Sequence, residues 1–219
     1  MRELEVSVTL YTYFRSSAAF RVRIALELKG LKHQDVYVHL RKNEQMSQAF
    51  RQVNPQGFVP SLVHDGQAIS QSLAIIEYLD EVFPDPPLLP NDPLSRARVR
   101  QIAYAIACDI HPINNLRVRR FLMQEYKRSE ADVDDFMRHW IEQGFDAIEK
   151  MIGGHPQTGR FCHGDQPTVA DLCLIPQIAN ARAANMDIDR WPALSAIERS
   201  AYEMPAFVAA QPKSQADAE

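Results

Sequence analysis

The chain lacks the groups that would announce several common chemistries. Its 219 residues include three cysteines, Cys108, Cys162 and Cys173, and no two of them stand in a paired spacing. That argues against a disulfide framework and fits reduced thiols in a cytoplasmic protein. Cys108 is expected to be a buried structural thiol. The histidines share no metal-ligand spacing, so no metal is expected. No run approaches the ~18 apolar residues of a membrane span. The N-terminal MRELEVSVTLYTYF does not follow the basic-then-apolar pattern of a secretory leader. The net charge of −4 is a mildly acidic balance that excludes bulk nucleic-acid binding.

What is present is an ordinary globular composition, 46% apolar, in a length that suits one large domain or two small ones. The first eighty residues alternate strand and helix patterns. Leu4, Val6, Val8 and Leu10 recur with period two, the mark of a half-buried strand. Residues 17–29 are helical in pattern, and Gly30 suits the left-handed residue that ends a helix. Val36, Val38 and Leu40 alternate again. SLVHDGQAIS at 61–70 reads as two short strands around Asp65-Gly66, a two-residue hairpin signal. QSLAIIEYLDEVF at 71–83 is an amphipathic helix. The order β-α-β, loop, β-β-α is that of a thioredoxin-like domain, expected over residues 1–84.

PDPPLLPNDP at 84–93 carries five prolines in ten residues. Proline can continue neither a helix nor a sheet interior, so residues 85–93 are expected to link two domains. Residues 94–219 read as an all-α domain ending in a flexible polar tail. Its expected helices are 93–126, 130–152, 168–184 and 193–202, with kinks at Pro112 and Pro176. Thr168 and Asp171 form a capping pattern. Trp140, Phe145 and Ile148 fall at helical spacing and read as core.

The candidate chemistry begins at Arg15-Ser16-Ser17-Ala18-Ala19, the start of the first helix. Thioredoxin and glutaredoxin place a redox Cys-X-X-Cys there. Here the segment has no sulfur, which excludes a self-contained dithiol oxidoreductase. Free N–H groups at a helix start favour an anion, and a serine hydroxyl beside them can donate to a thiolate. An unperturbed thiol with a pKa near 8.5 is only ~3% ionised at pH 7. A shift of about two units makes thiolate the major form, for ~2.7 kcal/mol of differential stabilisation. Such a site activates a sulfur that the protein does not supply. On local sequence alone, Ser16 or Ser17 reads equally as a simple N-cap.

Pro60 stands at the entrance to a strand, where this fold usually has a cis bond, and Val59 before it presents bare backbone to a peptide. Gln71 and Ser72 open another helix, a second place for a carboxylate. Together these suit a short thiol peptide with a carboxylate at each end, which describes glutathione.

SSAAFRVRIALELKG resembles the zeta-class glutathione transferase signature, usually S-S-C-S-W-R-V-R-I-A-L. VNPQGFVPSL, ISQSLAIIEYLDE, LLPNDP and FCHGDQPTVADLCLIPQIANA are similar to the same family, and CDIHPINNLRV resembles its bacterial maleylpyruvate isomerases. The likeness runs from about residue 8 to 208. It implies the glutathione transferase fold, a homodimer, and glutathione-dependent cis–trans isomerisation of maleylpyruvate or maleylacetoacetate. By position it implies Ser16 at the thiolate, with Ser17 as second choice. Gln45, Gln56, Val59, Pro60, Gln71, Ser72, His111, Asn115 and Arg117 match glutathione contacts. Arg15 and Arg117 match positions near a dicarboxylate substrate, for which arginine is the natural bidentate partner. Two positions depart from the pattern. Ala18 replaces the signature cysteine, and Ala183 stands where an arginine is usual, with Arg182 one residue earlier and a candidate substitute. Arginines at 96, 98, 100, 117, 119 and 120 against the single acid Asp109 suggest a local positive field over 93–124. The alternatives are a zeta-like transferase acting on α-halo acids or other small electrophiles, and a non-catalytic module on the same fold.

Overall fold

The structure, a computed structural model, describes residues 8–219. Leu4 and Val6 of the expected first strand lie outside the described residues. The chain divides into two compact units, one of residues 1–88 with 203–219 and one of residues 89–202.

In the first unit, β1 (Val8–Thr12) leads to α1 (Ser17–Leu28), β2 (Gln34–Tyr37), the short α2 (Gln48–Val53), β3 (Ser61–His64), β4 (Gln67–Ser70) and α3 (Ser72–Val82). The sheet order is β2-β1-β3-β4, with β1 parallel to β2 and antiparallel to β3. This is a thioredoxin-like sheet. Asp65 and Gly66 both take positive φ, 48° and 77°, as a two-residue hairpin turn demands. Gly30, at φ 61°, closes α1 by donating its N–H to the Glu27 carbonyl. Leu10, Ile24, Leu26, Leu62, Ile75 and Leu79 are fully buried between sheet and helices.

The boundary expected near residue 84 needs one correction at the other end of the chain. Residues 203–219 belong to the first unit, not to the helical domain. Helix α9 (Pro205–Ala210) packs on α1, and the polar tail expected to be flexible is tied to that unit. The Phe14 N–H donates to Asp217 Oδ2 at 3.0 Å, and His39 pairs with Glu219 at 2.8 Å. Sequence polarity concealed this, because the tail's contacts are hydrogen bonds rather than apolar packing.

The second unit holds α4 (Pro93–Tyr104), α5 (Leu116–Gln124), α6 (Glu130–Ile152), α7 (Val169–Ala183) and α8 (Pro192–Tyr202). The helix expected over 93–126 is broken. Residues 105–110 form a π-helical stretch, residues 111–114 turn, and α5 restarts with Asn115 as its cap. Pro112 has no N–H to give and its ring clashes with the preceding turn, so the chain ends one helix and begins another. In α7 the helix continues through Pro176.

Asp171, fully buried, accepts from the N–H of Cys162, the N–H of Thr168 and the Thr168 hydroxyl, all within 3.0 Å. Burial raises its pKa and those three donors oppose the shift. Phe145 and Ile148 are buried as expected, but Trp140 is 36% exposed, and its neighbour Ile141 takes the core position. One residue is about 100° around a helix, enough to exchange core for surface.

Candidate active site

The sheet register gathers the predicted residues of the first unit. Tyr11 in β1 pairs with Ser61 in β3, and Ser61 pairs with Ser70 in β4. These three residues form one row across one end of the sheet. Strands lie about 4.8 Å apart, so the row spans about 10 Å, the length of an extended tripeptide. Each end of the row leads to a predicted element. β1 runs on into Ser16 and α1, Val59-Pro60 precedes Ser61, and Gln71-Ser72 follows Ser70.

Ser16 caps α1, and its Oγ accepts the Ala19 N–H at 3.2 Å. The hydroxyl proton is therefore left to donate outward, so capping and thiolate stabilisation are compatible in one side chain. Ser17 is the first helical residue and Ala18 follows it, both half-buried. Arg15 is exposed, with its guanidinium 5.5 Å from the centre of the Phe14 ring.

The Val59-Pro60 bond is cis, as expected. The loop before it is ordered by Asn54, a buried residue that sequence reasoning missed. Its Nδ2 donates to the Phe58 carbonyl at 2.7 Å, and its Oδ1 accepts the Gln56 N–H at 3.1 Å. Gly57 has φ 67°, and a Cβ there would sit 3.0 Å from the Gln45 carbonyl, so the 44–46 turn closes directly on this loop. Gln45 Oε1 is buried with no hydrogen-bond partner among the described residues. Gln71 caps α3 in a strained conformation, φ 73° and ψ 114°, and its Nε2 donates to Gln56 Oε1 at 2.8 Å. Strain of about 1–3 kcal/mol at a non-glycine residue is commonly stored at ligand-binding positions.

The two arginines of FRVRIAL are not surface charge. Arg21 and Arg23 are each 2% exposed. Arg23 donates to Thr12 Oγ1 and to the carbonyls of Tyr13, Phe14 and Ala210, which holds the loop that carries Ser16. Burial pushes the Arg23 guanidinium below its ordinary pKa, while Asp217 and Asp35 pull it back. Arg21 donates to Ser72 Oγ at 3.2 Å, linking α1 to the start of α3.

In the second unit, His111 ends the π-helical stretch and is half-buried. Asn115 Oδ1 accepts the Arg117 N–H at 3.1 Å, and Arg117 stands in the first turn of α5 with an exposed side chain. Asn114, beside them, accepts from Asn180 at 2.9 Å, a pairing the sequence did not signal.

Arg182, the candidate substitute for the usual arginine, forms a bidentate pair with Glu198 of α8, at 2.8 and 2.5 Å. The expected arginine field is also weaker. Arg98 donates to the carbonyls of Cys162 and Met151 and to Thr158 Oγ1, and Arg119 pairs with Glu130 and Asp134. Cys108 is exposed rather than buried; Cys162 and Cys173 are the buried thiols. Among the described residues, no group of three or more metal-ligating side chains is assembled, and no helix is long and apolar enough to cross a membrane.

Comparison with known proteins accords with this geometry. The family model for the glutathione S-transferase N-terminal domain matches residues 6–81, and that for the C-terminal domain matches residues 130–198. A maleylpyruvate isomerase of a Ralstonia species is 42% identical over 208 residues, covering 95% of this chain and 98% of the relative. The holo structure of a maleyl pyruvate isomerase, a bacterial zeta-class enzyme, superposes with a TM-score of 0.94 at 42% identity, covering 96% of this chain and all of the other. A maleylacetoacetate isomerase from Methylobacterium extorquens AM1, solved with malonate and GSH bound, gives a TM-score of 0.93 at 39% identity, with 96% of this chain and 99% of that one covered.

Proposed function

The chain belongs to the glutathione transferase family, in its zeta class, and from that premise we propose that it is a glutathione-dependent cis–trans isomerase of maleylpyruvate or maleylacetoacetate. The observation that carries the reading is the row Tyr11–Ser61–Ser70, which brings Ser16, Val59-Pro60 and Gln71-Ser72 to one end of the sheet. The residues suit the cofactor. There is a helix start with a donating hydroxyl, a backbone edge, a second helix start with a serine, and in Gln45 Oε1 a buried acceptor with no hydrogen-bond partner among the described residues.

When bound, glutathione supplies a thiolate that adds to the conjugated double bond, frees it to rotate, and leaves unchanged. Ser16 and the first amides of α1 hold that sulfur as the anion. The Val59 backbone pairs with the peptide as an added strand would. Ser72 and the α3 amides take its γ-glutamyl carboxylate, with Gln71 and Gln56 positioned beside them. Gln45, His111, Asn115 and Arg117 complete the glutathione contacts. Arg15 and Arg117 are assigned to the substrate's carboxylates and to the negative charge that builds on its carbonyl oxygen. Ser17 is the reserve donor to the sulfur. A homodimer in the cytoplasm completes the proposal, and three free cysteines suit that reducing setting.

The commitment of Arg182 to Glu198 favours a second reading. A looser carboxylate clamp would widen substrate choice toward α-halo acids, with transfer rather than isomerisation as the outcome. The initial rate of maleylpyruvate loss, with and without glutathione, separates the two. The isomerase requires fast turnover, fumaryl product and no consumption of glutathione. Absence of turnover in protein that binds glutathione would replace the isomerase with the transferase.

A further inference from the structure

Arg21 and Arg23 lie two positions apart on α1, and the fold treats them differently. Arg23 is held by four oxygen acceptors. Among the described residues Arg21, equally buried, makes one hydrogen bond, from Nη1 to Ser72 Oγ, while its Nε and Nη2 have no hydrogen-bond partner. Arginine keeps its charge, so this is a buried positive group for which the described residues supply one hydrogen bond of the five it could donate. A methionine or leucine would fill such a place at less cost in stability. A charge that the fold does not need points to a use beyond the fold.

Its one bond indicates that use. A guanidinium only donates, so Ser72 Oγ must be the acceptor. Ser72 has a single hydroxyl proton, and the arginine forces that proton away from itself. Ser72 is the first residue of α3, where the helix already presents free N–H groups and a partial positive charge. The strained Gln71 immediately precedes it. The three features act in one direction, toward an anion at the start of α3.

We infer that Arg21 is a positioning residue for the γ-glutamyl carboxylate of glutathione, fixing the Ser72 hydroxyl as a donor and setting a permanent charge behind it. This rests on the glutathione reading above. The role makes two demands of opposite sign. Removing the charge should weaken binding of a ligand that has the carboxylate, yet should not weaken the fold.

The test compares glutathione with its analogue lacking only that carboxylate, 4-aminobutyryl-cysteinyl-glycine, by calorimetric titration. Arg21→Met should bind glutathione about tenfold more weakly, the scale of one charge-assisted hydrogen bond, and bind the analogue as the parent protein does. Its thermal midpoint should equal or exceed the parent's. Ser72→Ala should show the same selective loss, and adding Arg21→Met to it should cost little more. Equal weakening toward both ligands, or none toward either, would overturn the inference while leaving the glutathione site standing. Failure of both Arg21→Met and Arg21→Gln to fold would make Arg21 a structural residue and would also overturn it. A parent protein that binds neither ligand would refute the glutathione reading itself, and this inference with it.

Discussion

Replacing Ser16 with glycine tests the centre of the mechanism, because it removes the hydroxyl and little else. Ser16 has two tasks, capping α1 through the Ala19 N–H and donating to the sulfur. Alanine loses both, at a capping cost of about 1 kcal/mol, whereas glycine at an N-cap costs only about a few tenths. The donated bond to a thiolate is charge-assisted and worth about 1.5–3 kcal/mol, or about one to two pKa units on the bound thiol. If the intact site holds that thiol near ~6.5, about three quarters is ionised at pH 7; in Ser16→Gly the fraction falls to between ~25% and ~3%. Turnover at pH 7 should then drop about 3- to 25-fold, with little change in glutathione affinity. The sign fixes the pH dependence. Both proteins ionise the thiol as pH rises, so the gap should close by about pH 9.5. The assay is a pH titration of thiolate absorbance in the glutathione complex, run beside the rate of maleylpyruvate loss. A glycine variant with undiminished turnover at pH 7 would move the role to Ser17 or to the helix amides. A rate gap that persists at high pH would show that the hydroxyl acts on something other than ionisation.

Four further outcomes are expected. Asp171→Ala leaves the buried N–H groups of Cys162 and Thr168 unmatched and should destabilise the protein by about 2–6 kcal/mol in chemical denaturation; a loss below 1 kcal/mol on the same scale would contradict that account. Arg182→Met should lower stability by about 1–3 kcal/mol, discounted because the arginine is half exposed, and leave the KM for maleylpyruvate unchanged. A large rise in KM would return Arg182 to the substrate site. His163 is held below its ordinary pKa by burial and by the Arg98 guanidinium beside it, so the unfolded chain takes up a proton first as pH falls below 6.5. Its contribution is present above that pH and lost below it, and His163→Gln should flatten the decline in melting temperature on the acid side. Light scattering of a dilute solution should give a mass of about 50 kDa, twice the 24.9 kDa of the chain, and a 25 kDa species would refute the dimer.

Most of the first unit was legible because its signals are local. Alternation marks β1, Asp65-Gly66 marks the hairpin, and Pro60 marks the cis bond. The helix starts at Ser16 and Gln71-Ser72 were legible because they follow from hydrophobic period and capping chemistry. What escaped depends on contacts between residues far apart in the chain. Arg23 reaches Ala210, and Asp217 reaches the Phe14 backbone, across about two hundred residues. No spacing rule reports such pairs, and two arginines in a helical pattern look like a solvated face. The pairing of Arg182 was hidden for a related reason. Its carboxylate partner, Glu198, belongs to the next long helix, and a sequence shows a charge without showing what neutralises it. The break near Pro112 was half-read. Proline announces a disturbance, but whether a helix bends or ends depends on what can cap the restart, and Asn115 supplied that cap.

The return of residues 203–219 to the first unit bears on how the enzyme is made. Ribosomes deliver the N-terminal sheet early, yet α9 and Asp217 lie far downstream of it in the chain. At about 5–20 residues per second, the sheet must wait on the order of ten seconds for them. Through that interval the Phe14 N–H lacks Asp217, and Arg23 lacks the Ala210 carbonyl, directly beneath the loop that carries Ser16. Translation must therefore pass Asp217 before that loop is fully anchored. A premature stop within residues 203–210 would leave every proposed glutathione-binding residue encoded and both anchors of the Ser16 loop missing.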